Sequence, residues 1–222
     1  MELWHVLNRG VEGRDLFLDS QDYARFVHNL YEFNDTAPAS EFIRRDVGFT
    51  KAHIRLRERI VEIHGWVLMR NHYHLLLSEL VEGGLTLFLR KLNIGYANYF
   101  NERYARHGTL FAGRTKKIFV ERQAHFLYIL HYIHLNPLDY LKGFEEWRER
   151  SKGRIPNVHK ALAHLEGYRW SSYLDYAGSR NFPSLITKDL FESTAGEYAA
   201  ELWSYLRGTE KLDDEFAKLY LE

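Results

Sequence analysis

The sequence predicts an α+β fold of ferredoxin-like (RRM-like) type, a central antiparallel sheet with helices packed on it. Runs rich in β-formers cover residues 3–8, 60–69 and 73–80, with a shorter one at 117–120. Apolar residues recur at helical spacing after Ser20, after Gly84 and from about Gln123. The resulting order, strand, helix, strand, strand, helix, strand, helix, is that of a split βαβ sheet.

Each element has a local cause. Leu3 to Asn8 ends at Arg9-Gly10 and a polar turn through Glu12-Gly13-Arg14. Asp19 or Ser20 can cap a helix that carries Tyr23, Phe26, Val27 and Leu30 on one side. From Asn34 to about Arg59 the pattern is irregular, with Pro38, Gly48 and many arginines, and reads as an insertion. The apolar run Ile60 to Met69 and the run Tyr73 to Leu80 are separated by a few residues, which predicts neighbouring strands with Asn71-His72 at the start of the second. Gly83-Gly84 breaks the chain before a long helix with Leu85, Phe88, Leu92, Tyr96, Tyr99 and Phe100 on its apolar face, ending near His107-Gly108. The last core helix keeps Phe126, Ile129, Leu130 and Ile133 together, and Pro137 should end it at Asn136 because the residue before proline avoids helical geometry. After Gly143 the composition becomes more polar. The expected division is a catalytic domain over residues 1–142, containing the insertion at 34–59, and a helical accessory region over 143–222.

At 222 residues and 45% hydrophobic content the chain can bury a good core without staples. It has no cysteine, which excludes disulfides, thiolate metal sites and cysteine catalysis, so a metal would need His, carboxylate or amide ligands. Twelve histidines keep that route open. No apolar stretch approaches the roughly 20 residues of a membrane span, and the N-terminus lacks a basic leader before an apolar run, so a cytoplasmic location is expected. Thirty basic and thirty acidic residues cancel. Between residues 90 and 117, however, Arg90, Lys91, Arg103, Arg106, Arg114, Lys116 and Lys117 face a single acid, Glu102. Tyr96, Tyr99, Phe100, Tyr104 and Phe111 are interleaved with them, a mixture suited to phosphate contacts and base stacking. The bland account of the same stripe is a solvated helix face over a core of aromatics.

Two short segments could carry chemistry. In Asn71-His72-Tyr73-His74 the strand alternation points His72 and His74 to one side, where two imidazoles can share a cation. An H-x-H pair is a weak motif alone, but this one continues into Leu75-Leu76-Leu77, and polar rings on a central strand need partners. In Tyr132-Ile133-His134-Leu135-Asn136-Pro137, Tyr132 and Asn136 are four apart and share a helix face. Asn136 offers an amide oxygen at a helix C-terminus, suited to Mg²⁺ or Mn²⁺, and Tyr132 beside it is a candidate nucleophile. The bland account makes Tyr132 a packing ring and Asn136 a cap.

The ordered set Leu7-Asn8-Arg9-Gly10, Asp22-Tyr23, Leu68 to Leu77, Gly108-Thr109-Leu110-Phe111 with Gly113-Arg114, Tyr132 to Pro137 and Trp170-Ser171-Ser172-Tyr173 resembles the single-tyrosine HUH transposases. It is most similar to the REP-associated tyrosine transposases and their insertion-sequence-200-like relatives. The resemblance covers most of residues 1–178. It implies an HUH core, a divalent metal (Mg²⁺ or Mn²⁺) at His72 and His74 with Asn136 as third ligand, Tyr132 as nucleophile, and single-stranded DNA with hairpin-forming repeats as substrate. It also implies a prokaryotic, nucleoid-associated location, and leaves open whether one subunit or a homodimer completes the site. Two features depart from the pattern: Arg70 stands where relatives usually carry proline, and the 34–59 segment is longer than in compact relatives.

The expected reaction is attack of the Tyr132 hydroxyl on a DNA phosphate, giving a 5′-phosphotyrosine and a free 3′-OH that a different 3′-OH can later reverse. Tyr128, one turn earlier, is a lesser candidate for a second nucleophile. Arg9, Arg90, Lys91, Arg114, Lys116 and Lys117 are DNA-contact candidates from charge and placement. The rival accounts are a hairpin-binding protein that does not cut and a metal-dependent hydrolase built on His72 and His74.

Overall fold

The computed structural model describes residues 2–37, 57–121, 126–144, 147–148, 155, 157–191 and 195–208. Residues 38–56 of the expected insertion lie outside them, as do Gln123, where the last core helix was expected to begin, and most of the charged run 145–154. The elements are β1 (Leu3–Arg9), α1 (Ser20–Glu32), β2 (Val61–Met69), β3 (His72–Glu79), α2 (Gly84–Arg103), β4 (Lys116–Phe119) and α3 (Phe126–Leu135). A 3₁₀ turn (Asn136–Tyr140) follows, then α4 (Val158–Gly167), α5 (Tyr173–Tyr176) and α6 (Ala195–Leu206). The sheet order is β2-β3-β1-β4 with every described pairing antiparallel, the split βαβ arrangement expected from the element order.

The two faces of the sheet are covered by different helices. Val6, Ile63, Trp66, Leu68, Tyr73, Leu75 and Leu77 point towards α1 and α2, meeting Phe26, Leu30, Phe88, Leu92 and Tyr96. Leu3, Val67, Met69 and Leu76 point the other way, towards Ile129, Leu130 and Ile133 of α3 and the chain after residue 157. Burial on both faces explains why β3 reads as a nearly continuous apolar run after its histidines. The residues beyond 157 share this second core with α3 and extend the sheet edge: Leu68 N–H donates to Trp170 O at 2.9 Å and Ser172 N–H to Trp66 O at 2.9 Å.

Capping follows the sequence at α1, where the Asp19 carboxylate accepts from the Gln21 and Asp22 amides. Asp22 itself is fully buried and ties α1 to the end of α2 by accepting from Tyr99 at 3.0 Å, Tyr104 at 2.8 Å and Arg103. The helices approach closely because Gly95 has no side chain: a Cβ there would lie 2.2 Å from the Phe33 ring. The base of the insertion is pinned by Asn34, whose Oδ1 accepts from the Ile60 and Val61 amides at 2.9 and 3.0 Å.

Two boundaries differ from expectation. α2 stops at Arg103 instead of near His107, since Asn101 bonds both Gly108 O and Arg106, and Ala105 takes φ 47°. Periodicity does not register such side-chain capture of the backbone. β4 begins one residue early, at Lys116, because the Leu7 partner of β1 extends the ladder there. Among the described residues no helix is long and apolar enough to cross a membrane.

Candidate active site

β3 lies between β1 and β2, so its side chains alternate between two covered faces. Tyr73 points towards α2, where its hydroxyl donates to Asn93 Oδ1 at 2.8 Å, and burial pushes its phenol above the usual range. His72 and His74 point towards α3, with ring centroids 5.1 Å apart. Helix α3 lies on this face and sets Tyr132 edge-on to His74, at 5.7 Å between centroids and 88° between planes. Strand alternation and helix packing thus bring together three of the four side chains that the sequence offers as candidate metal ligands and nucleophile: His72, His74 and Tyr132. Tyr132 is 2% exposed.

Each imidazole has its Nδ1 engaged. His72 Nδ1 donates to Asn71 Oδ1 at 2.7 Å, and His74 Nδ1 shares a hydrogen bond with His5 Nε2 at 2.9 Å. That arrangement turns the Nε2 atoms of both rings, which are buried, to the remaining side. Holding one ring nitrogen through an outer partner is how metal-ligating histidines are oriented. Burial lowers the His74 imidazole well below its ordinary value, with His5, His72, Arg148 and Arg9 adding to the effect, and pushes His5 down to about 3. His74 is thereby held neutral near pH 7, the state a metal ligand requires.

Asn136 starts the 3₁₀ turn at the foot of α3, fully buried. Its Nδ2 donates to Tyr132 O at 2.8 Å, so it caps the helix as the bland account expects. Its Oδ1, the expected third metal ligand, accepts from Arg148 Nη2 at 2.8 Å. Arg148 also grips Asp139 with both guanidinium branches and lies 6.0 Å above the Tyr132 ring. The two imidazoles are donors of the kind a divalent cation takes, and the Asn136 amide oxygen, although it accepts from Arg148, has a second lone pair. Among the described residues no three His, Asp or Glu side chains are gathered to hold a metal ion.

The DNA-contact candidates divide between the faces. Arg9 is the cross-strand neighbour of His72, and Lys116 that of Leu7, so both belong to the His72 side. Lys117 pairs with Val6 on the opposite side and donates to Thr86 Oγ1 at 2.9 Å. Arg90 is exposed on α2, and Lys91 donates from the same helix to the carbonyls of Asp35 and Ala37. The basic stripe thus does not form one surface: α2 carries its first half to the face away from Tyr132. Arg114 is exposed in the loop before β4. Arg70, which stands where the resemblance leads one to expect proline, pairs with Asp15 at 2.8 Å. Tyr128 packs on Tyr205 at 5.8 Å, on the side of α3 facing α6.

Sequence reasoning passed over four residues here. His5 carries a signal in retrospect, a polar ring at an alternating position of an apolar strand. Asn71 sits beside the motif and was placed only as a strand start. Arg148 lies in a charged run that looks solvated. Ser172 was quoted only as part of the resemblance, yet its Oγ bonds His134 Nε2 at 2.7 Å and the Trp66 amide at 2.9 Å, while His134 Nδ1 bonds Tyr198. This buried network fastens α3 to β2 and α6 two residues from Tyr132.

Compared with solved structures, the chain is similar to one described as the REP-associated tyrosine transposase bound to a REP hairpin. The match has a TM-score of 0.52 and covers 87% of this chain and 90% of that one. The two chains share a fold. Sequence identity is 13%, so the relationship is distant and the likeness is structural. No family model matches the chain, and no curated protein does.

Proposed function

We propose that this protein cleaves and rejoins single-stranded DNA carrying hairpin-forming repeats, with Tyr132 as nucleophile. One observation carries the proposal: the Tyr132 ring stands edge-on to His74, on the sheet face that also presents His72. The likeness of fold to a hairpin-bound tyrosine transposase supports the substrate class. In the reaction the Tyr132 oxygen bonds to phosphorus and loses its proton, and the bond from phosphorus to the 3′ oxygen breaks. That oxygen leaves as a 3′-OH, and the 5′-phosphotyrosine keeps the phosphodiester for attack by another 3′-OH. A divalent metal held by His72 and His74 would supply charge to the non-bridging oxygens and favour loss of the phenolic proton.

The chain's own residues do the rest. Asn136 holds the last turn of α3 through the Tyr132 carbonyl, and the His134–Ser172 bond fixes the same helix on β2, so the phenol is carried on a rigid element. Arg9, beside His72, adds positive charge where a phosphate would lie. Arg148 covers the Tyr132 ring, and a phosphate oxygen is an acceptor that can replace Asn136 in its grip.

A second reading, hairpin binding without cutting, is favoured by one observation. Tyr132 is 2% exposed and must be uncovered before a phosphate can reach it. The experiment that separates the two is a denaturing gel of the protein with Mn²⁺ and labelled single-stranded DNA from the hairpin repeats flanking its gene. A covalent band that Tyr132→Phe abolishes establishes cleavage. No band, with retained binding in a native gel, leaves the binding protein. Free DNA ends without attached protein would point to a hydrolase instead.

A further inference from the structure

An imidazole that binds a metal through one nitrogen carries its proton on the other, and that proton needs an acceptor. His72 has such an acceptor in Asn71 Oδ1. For His74 the corresponding atom is a second imidazole nitrogen, Nε2 of His5, at 2.9 Å. The His5 ring lies almost parallel to His74, 14° between planes and 5.1 Å between centroids, and meets Tyr132 edge-on at 5.9 Å. His5 and His74 are both 0% exposed. They come together because β1 and β3 pair antiparallel with His5 opposite Leu76 and Leu7 opposite His74, which sets the rings diagonally on one face.

We propose that His5 is a positioning residue: its Nε2 accepts the Nδ1 proton of His74, fixing the tautomer that presents the His74 Nε2 lone pair and holding that ring against Tyr132. The inference rests on the proposed metal site at His72 and His74. The opposite proton placement, with His5 donating to His74 Nδ1, would put a proton on His74 Nε2 and close it to a cation.

Two measurements on the full chain test this. With histidine labelled in ¹⁵N and no metal present, a long-range ¹H–¹⁵N spectrum, with His74 assigned by its loss in His74→Gln, is expected to show the proton on Nδ1. A proton on Nε2 overturns the proposal, and this test needs no variant of His5 to fold. The second is Mn²⁺ titration followed by electron paramagnetic resonance. His5→Phe, which cannot accept the proton, is expected to weaken Mn²⁺ binding about tenfold or more, the usual cost of losing an outer partner. His5→Gln, whose amide oxygen can accept it, should restore most of the affinity. Mn²⁺ binding that depends on His72 but is unchanged in a folded His5→Phe overturns the His5 role alone. Binding that is absent, or indifferent to His72→Ala, overturns the metal site and the role built on it.

Discussion

Four of the buried histidines among the described residues make the stability of this fold sensitive to mild acid. His5, His64, His74 and His134 all have imidazoles lowered by desolvation as the largest cause. Unfolded, each would take up a proton near its ordinary value of 6.5. A group whose folded value is depressed contributes stability that is present above the unfolded value and is lost as the pH falls towards the folded one. For His5, folded at about 3, that window runs from 6.5 downward. Going from pH 7.5 to 5 costs about 2 kcal/mol from His5 alone, at about 1.4 kcal/mol per pH unit below the unfolded value. The other three histidines shift in the same direction and steepen the slope. A domain of ordinary stability, about 5–15 kcal/mol, then loses a large share of it before most carboxylates titrate. Urea melts in EDTA at pH 7.5, 6 and 5 measure the effect, and His5→Gln should flatten the slope by about one proton. An unfolding free energy that changes by less than about 1 kcal/mol between pH 7.5 and 5 would refute the assignment of these rings as buried and neutral.

Ser172→Ala removes the hydroxyl shared by His134 and the Trp66 amide, so two buried polar groups lose a partner; a loss of about 2–3 kcal/mol is expected in urea melts. Gly95→Ala drives a Cβ into the Phe33 ring, and the overpacking cost of about 1–3 kcal/mol exceeds most of what alanine gains over glycine in a helix; a lower melting temperature checks it. Arg148→Ala frees the Asn136 oxygen and removes a cation beside His74, so Mn²⁺ titration without DNA should show several-fold tighter binding; weaker binding would place Arg148 on the side of the metal. Tyr132→Phe should keep DNA affinity within about threefold in a native gel while abolishing the covalent adduct, because it deletes the one oxygen that attacks and leaves the ring's aromatic contacts in place.

The strands, the cap at Asp19 and the placement of His72 and His74 on one face follow from local rules. An apolar run with β-formers, a carboxylate able to bond its own helix amides, and a two-residue alternation act within a few residues. The order of those elements likewise carries the sheet topology, since short antiparallel connections leave few arrangements. The tertiary structure alone decides what each face meets. His5 joins His74 from 69 residues away and Arg148 takes the oxygen of Asn136 from 12 residues away, through contacts that no local pattern encodes. The basic stripe shows the same limit from the other direction: contiguous in sequence, it is divided because α2 and β4 deliver their cations to both sides of the sheet. Periodicity states which side chains share a face, and only the packing of α3 on that face makes a tyrosine and two histidines into one site.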